Sequence, residues 1–518
     1  MAPATDSPKW YLSLPLLIFA AVLFPPAGLV MVWSRRATET GRKVFASLCI
    51  AVWGAVYAYF LFGSGGHLFT PGSSSDAHYA ELERHREAQH KAGVDAPDPT
   101  SVSAQSSAAT SPQDAVSSIA APVEAKKRGA GIPSGAYWTS FRGPARDGHY
   151  DEFAVRTSWP VEGLARLWKQ PIGGGYSSFV VASGIAYTIE QRRNQEVVAA
   201  YDVRNGRELW TRSWDGRFKE SMGGDGPRAT PTWDDGKLYA LGAQGEFYCL
   251  NAQTGAVIWS KNILKSNGAE NLQWGMAASP LIVDDKVIVL PGGKAGSSVV
   301  AYNKVNGSIV WRSLNDAAAY SSPMLVTLAG KRQILAITGD RVVGLEPNDG
   351  SLLWDYPWKT YQGIAATQPI VVDEHRIFIS SGYGKGSTLL EVNDTQKGLA
   401  VHAVWENSSM KNKFNSSVLY QGHIYGLDEG ILTCIDVGSG ERNWKGGRYG
   451  YGQVTLASGN LIIISEEGEL VLVKATPERH MELARFSAIE GKTWNCPAIS
   501  GKLLLVRNET EMACFDMQ

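Results

Sequence analysis

The stretch Ala200–Trp210 reads AYDVRNGRELW, and the same phrase returns as CLNAQTGAVIW (Cys249–Trp259), AYNKVNGSIVW (Ala301–Trp311) and GLEPNDGSLLW (Gly344–Trp354). Looser copies end at Trp405, Trp444 and Phe486, and the final CFDMQ (Cys514–Gln518) breaks off where its turn should begin. The missing half lies elsewhere: GLARLW, closing on Trp168, is a terminal strand with no turn motif before it. The aromatic positions Trp168, Trp210, Trp259, Trp311, Trp354, Trp405, Trp444 and Phe486 recur at roughly 40 to 50 residues, the period of a four-stranded propeller blade. An open array would leave its ends unpaired, whereas one blade shared by the two termini closes a ring. The expectation is therefore an all-β, eight-bladed β-propeller whose last blade is completed by an N-terminal strand.

Within one repeat, ATPTWDDGKLYALGAQGEFYCLNAQTGAVIW gives four strand signals separated by turns at Asp234–Gly236, Gly242–Gly245 and Thr254–Gly255. Runs such as Lys286–Leu290, Arg376–Ser380 and Asn460–Ile464 carry the β-branched residues of buried strands. The eight repeated aromatics are expected to be structural, packing between neighbouring blades.

The ring accounts for about 350 of the 518 residues, beginning near Tyr137. Residues 1–62 differ in kind. Trp10–Trp33 and Val44–Phe62 are apolar stretches, each long enough to cross about 30 Å of hydrocarbon as a helix. Between them Arg35, Arg36, Arg42 and Lys43 face a single Glu39, which places that connector in the cytoplasm. A transmembrane hairpin follows, with a cleaved signal peptide as the alternative for the first stretch. Residues 63–136 turn to Ser, Ala, Pro and Gly, the composition of a flexible linker. Inside that linker Asp76–Gly93 is expected as a short solvated helix, because His78, His85 and His90 lack the spacing of a helical metal pair.

A net charge of −1 without a basic stripe argues against nucleic-acid binding. Of the five cysteines, Cys249, Cys434 and Cys514 fall at one repeat position, so a ring holds them apart as small buried apolar residues. Neither a C-x-x-C pair nor a haem-attachment signature occurs.

The A-x-D-x-x-T-G-x-x-x-W pattern, nearest in Ala200–Trp210 and Leu250–Trp259, resembles the PQQ-like (quinoprotein-type, BamB-like) β-propeller repeat family. The opening WTSFRGPARDGHY (Trp138–Tyr150) and the closing Thr493–Met517 resemble the ends of such propellers in bacterial exported proteins. The resemblance implies a propeller at 137–518 and two possible lines of work. One is a binding or scaffold module on the outer face of the bacterial inner membrane, with envelope proteins or a small or carbohydrate ligand as partners and no cofactor. The other is an alcohol or sugar dehydrogenase dependent on pyrroloquinoline quinone (PQQ) and Ca²⁺. Its alcohol-oxidising branch walls the quinone with adjacent cysteines, and no two cysteines here are adjacent. No catalytic set is legible, and the first reading is preferred.

Residues just before each inner strand ring one mouth of a propeller channel. Read that way, Arg228, Trp274, Tyr320, Gln368, Asn415, Gln453 and Asn495 form a candidate ligand ring of aromatic faces, amides and one cation. Asp225, in Gly223–Pro227, is the one carboxylate near that mouth in its repeat and the weak candidate for a metal ligand or base.

Overall fold

A computed structural model describes residues 44, 47–52, 73–94 and 138–518. The chain divides into two compact units, Met1–His78 and Tyr79–Gln518. In the first, the described positions are all helical, and among the described residues no helix is long and apolar enough to cross a membrane. Trp10–Trp33, most of Val44–Phe62 and linker positions 95–136 lie outside the described residues.

The second unit contains eight antiparallel sheets. Blade one is Val180–Ala182, Ile185–Arg192, Gln195–Asp202 and Glu208–Asp215, hydrogen-bonded in that order. The inner strands of blades two to seven begin at Thr232, Leu281, Met324, Ile370, Val418 and Gln453. Blade eight takes three strands from Ala498–Asp516 and its outermost strand, Ala165–Pro171, from the other end of the propeller sequence. The closing register sets Trp168 opposite Cys514, as the split repeat predicts. Blade seven gains a fifth strand, His149–Tyr150, running parallel to Leu456–Ala457.

The repeated phrase has a specific physical use. Trp311 is buried, and its indole Nε1 donates to Pro347 O at 3.1 Å, in the turn of the following blade. That turn holds Gly350 at φ +74°, where an added Cβ would stand 2.5 Å from the Trp311 ring. Trp168, Trp210, Trp259, Trp405 and Trp444 likewise donate to Val203, Ala252, Lys304, Val437 and Thr476 carbonyls of the next blade. Tryptophan and turn glycine are thus two halves of one inter-blade joint. Trp354 departs from the pattern, donating to Gln333 Oε1 within its own blade. The reason lies in blade five, where Gly386–Thr395 and Gly398–Asn407 make a longer hairpin without the compact Asn-Gly turn. Phe486, with no N–H, packs its ring against Gly163. Cys249, Cys434 and Cys514 are buried free thiols.

The Asp76–Gly93 segment is not a free solvated helix. It lies within a helix Ser73–Val94 whose Leu82 and Arg86 are buried in the second unit. A helix that places an apolar and a cationic side chain on one face finds a partly polar surface to cover, which composition alone does not reveal.

Candidate functional site

Ser and Thr hydroxyls preceding the inner strands form a belt around the channel. Ser178 N donates to Thr230 Oγ1, Thr230 N to Ser279 Oγ and Ser279 N to Ser322 Oγ, at 2.9–3.0 Å, each step crossing to the next blade. Gln368 N continues the pattern to Ser416 Oγ at 3.0 Å. Backbone donors exposed where strands enter the ring are satisfied in this way.

On the far side of the belt the channel is crossed by Trp138–Tyr150. Arg146 Nη1 donates to Ser279 O (3.1 Å) and Pro323 O (2.9 Å), and its Nη2 to Thr232 Oγ1 (3.2 Å) and Pro280 O. Arg142 reaches the opposite blades, donating to Ser417 O (2.9 Å) and Val454 O (3.2 Å). Both guanidinium groups are buried and held by carbonyl dipoles, and burial pulls Arg146 below its ordinary pKa. Both residues also sit at left-handed backbone angles, φ 62° and 60°, which a chain tolerates where its surroundings over-determine it.

The belt and this plug leave a cavity of about 360 Å³ at the mouth, with Phe141 and Cys496 among its lining residues. Its walls are mainly aromatic. Trp274 and Tyr320 pack at 5.8 Å between ring centroids, Tyr176 and Trp494 at 5.3 Å, and Phe414 and Trp494 at 4.6 Å. Arg228, entering blade two, is fixed by Gly224 O (2.6 Å) and Gly226 O and lies 4.5 Å from the centroid of Phe218. Lys413, entering blade six, donates to Tyr451 Oη at 2.6 Å. Blades two and six stand across the eight-fold ring from each other, so the two cations face the cavity from opposite walls. Neither forms an ion pair among the described residues, and no carboxylate lines the cavity there.

Of the candidate ring, Arg228, Trp274, Tyr320 and Gln453 line this cavity; Gln368, Asn415 and Asn495 do not. Two of these amides are used between blades and the third within its own segment. Gln368 Nε2 donates to Ser322 O (2.9 Å) and Asn495 Nδ2 to Ser177 O (3.0 Å), while Asn415 Oδ1 accepts from Asn412 Nδ2 (3.5 Å). Gln368 and Asn495 are drawn to backbone carbonyls in reach, and the other amide atom of each, like Asn415 Nδ2, is buried without a hydrogen-bond partner. Gln453 does both, lining the cavity and donating to Trp494 O at 2.8 Å. Asp225 lies 3.6 Å from Arg217 in an ion pair outside the lining. Among the described residues no three His, Cys, Asp or Glu side chains converge as a metal site requires. Lys413, Tyr383 and Phe141 were not legible as wall residues, because Lys413 stands two positions outside the repeat frame and Phe141 belongs to a segment preceding the ring.

Fold and cavity together define a PQQ-like eight-bladed propeller with a plugged channel. Residues 193–446 match the family profile described as outer membrane protein assembly factor BamB, and this half of the chain is similar to the PQQ-like, BamB-like repeat family. It is 22% identical over 279 residues to the outer membrane protein assembly factor BamB of Yersinia pestis, covering 51% of this chain and 68% of that protein. It is 27% identical over 143 residues to an alcohol dehydrogenase (quinone) dehydrogenase subunit of Komagataeibacter europaeus, covering 26% of this chain and 18% of that protein. Among solved structures the quinohemoprotein alcohol dehydrogenase of Comamonas testosteroni is similar in fold. Its TM-score is 0.52 at 13% identity, over 75% of this chain and 81% of that one.

Proposed function

We propose that this protein is a membrane-anchored binding module on the outer face of the bacterial inner membrane, holding a flat anionic ligand or partner group in the propeller mouth. The observation that carries the reading is the pair Arg228 and Lys413, set on opposing walls of an aromatic cavity with no lining carboxylate. A cation in a partly desolvated wall favours a negatively charged guest, and aromatic faces favour a flat or apolar body. The two apolar stretches Trp10–Trp33 and Val44–Phe62 supply the anchor, and the exposed Val44, Leu48 and Val52 are consistent with it. The naming of the Yersinia pestis relative as an assembly factor supports envelope proteins as further partners.

Titration of the purified full chain with naphthalene-2,6-dicarboxylate, followed by tryptophan fluorescence, tests the reading. Saturable quenching is expected, weakened at least tenfold in Arg228→Met and in Lys413→Met. Equal response to naphthylmethylamine or to glucose, or no response to any probe, refutes it. The aromatic walls also favour a second reading, a quinone dehydrogenase. Addition of PQQ and Ca²⁺ with alcohol- or sugar-dependent dye reduction as the readout decides between them.

A further inference from the structure

One end of the propeller sequence closes the ring, and the strand that does so is exposed to a particular weakness. Ala165–Pro171 is the outermost strand of blade eight and is paired on one side alone, with Glu511–Asp516. Edge strands present unsatisfied backbone groups and fray first. Here the seam toward blade one is covered by the second-unit part of the helix, Tyr79–Val94. Tyr79, Leu82, Arg86 and Gln89 stand at i, i+3, i+7 and i+10, one face of a helix.

Arg86 is the centre of the contact. Its Nη2 donates to Pro171 O at 2.8 Å and its Nη1 to Gln170 Oε1 at 3.0 Å, both on the closing strand. Its Nε lies 3.5 Å from Glu208 Oε2, and its guanidinium stands 4.9 Å over the Tyr201 ring, both in blade one. One guanidinium thus bonds the two sides of the seam together. Gln89 repeats the bridge, donating to Gln170 Oε1 at 2.8 Å while its own Oε1 accepts from Glu208 N at 3.4 Å. Glu83 accepts two bonds from Arg193 of blade one, at 2.7 and 2.9 Å. At the other end of the contact Tyr79 Oη approaches Gly174, beside the Asp225 backbone.

We propose that the seam between blades eight and one is a helix-docking surface filled by this chain's own Ser73–Val94, and that the helix is a detachable latch on ring closure. Detachability follows from the chemistry of the face. Tyr79 and Leu82 are its apolar anchors, the remaining contacts are polar or ionic, and water replaces such contacts at small net cost. Buried Arg86 is different, because its removal leaves the Pro171 carbonyl without its donor, while Glu208 loses one of its two guanidinium neighbours and keeps Arg192. The latch also reaches the cavity rim, since Gly174 and Asp225 belong to the segments that lead into Tyr176 and Arg228. The recognition code of the surface is a helix carrying Tyr, Leu, Arg and Gln at these spacings.

Hydrogen exchange on the full chain tests this. In Leu82→Ala/Arg86→Ala, amide exchange across Ala165–Pro171 should rise at least tenfold, while Leu352–Pro357, an outermost strand with no helix over it among the described residues, stays unchanged. A synthetic peptide of residues 73–94 added in trans should restore the protection, and the same peptide with Arg86→Ala should not. Unchanged exchange at Ala165–Pro171, or equal rescue by both peptides, overturns the proposal. A charge-reversal pair guards against simple misfolding: Glu83→Arg should loosen the closing strand, and Glu83→Arg/Arg193→Glu should tighten it again. Failure of that double variant to recover protection counts against the latch as well. None of these readouts depends on the identity of a cavity ligand.

Discussion

The joint between Trp311 and Gly350 offers the sharpest test of why the repeat has its form. Trp311 is 7% exposed, and its ring fills the space beside Gly350 that a methyl group would otherwise need. Trp311→Ala should cost about 3 to 5 kcal/mol from lost burial and the cavity left behind. Trp311→Phe keeps most of the ring but leaves Pro347 O without its indole donor, costing about 1 to 3 kcal/mol. Gly350→Ala alone meets two penalties: left-handed strain of roughly 1 to 2 kcal/mol, and a steric clash with the Trp311 ring. In the Trp311→Ala background the clash disappears while the backbone strain stays. The two changes should therefore be non-additive, the double variant being less unstable than the sum by about 1 to 3 kcal/mol. Urea unfolding of the four proteins, followed by tryptophan emission, measures the cycle. Additivity within about 0.5 kcal/mol would show that tryptophan and glycine are not a single joint, and the physical account of the repeat would fall.

Other outcomes follow from single sites. Arg142→Met should destabilise the propeller by about 3 kcal/mol or more, because the Ser417 and Val454 carbonyls lose their donor and a charge-sized space opens on the axis; thermal unfolding reads this. Trp354→Phe should also loosen its joint, yet without disturbing blade five, since the lost bond is to Gln333 in the same blade; hydrogen exchange at Arg376–Ser381 should not change. Burial pushes Glu196 up to about 7, against the lowering effect of donors from Ala243 N and Trp214 Nε1. The folded pKa lies above the ordinary glutamate value of 4.5, so its contribution is complete below about 4.5 and is lost as pH rises toward 7. That loss amounts to about 3 kcal/mol, and Glu196→Gln should flatten the slope of stability against pH across this window.

Blade number, ring closure and the inter-blade role of the aromatics were legible because each is a local pattern repeated many times. A turn glycine and a tryptophan need only be counted to fix a period, and a truncated last copy beside an orphan GLARLW strand identifies the closing pair. The same reasoning located the mouth and picked out Arg228, Trp274, Tyr320 and Gln453. It did not separate them from Gln368, Asn415 and Asn495, since equivalent repeat positions carry side chains that turn into the cavity, toward a neighbouring blade's carbonyl or, for Asn415, toward Asn412. That choice depends on which acceptors lie within about 3 Å, a distance set by blades far apart in sequence. The plug and the latch are of the same kind. Arg142 and Arg86 sit in segments without periodicity, and their meaning comes from partners 275 and 84 positions away. Local geometry repeated along the chain dictated the wheel; what seals its axis, closes its seam and charges its mouth was decided by non-local contacts between unlike segments.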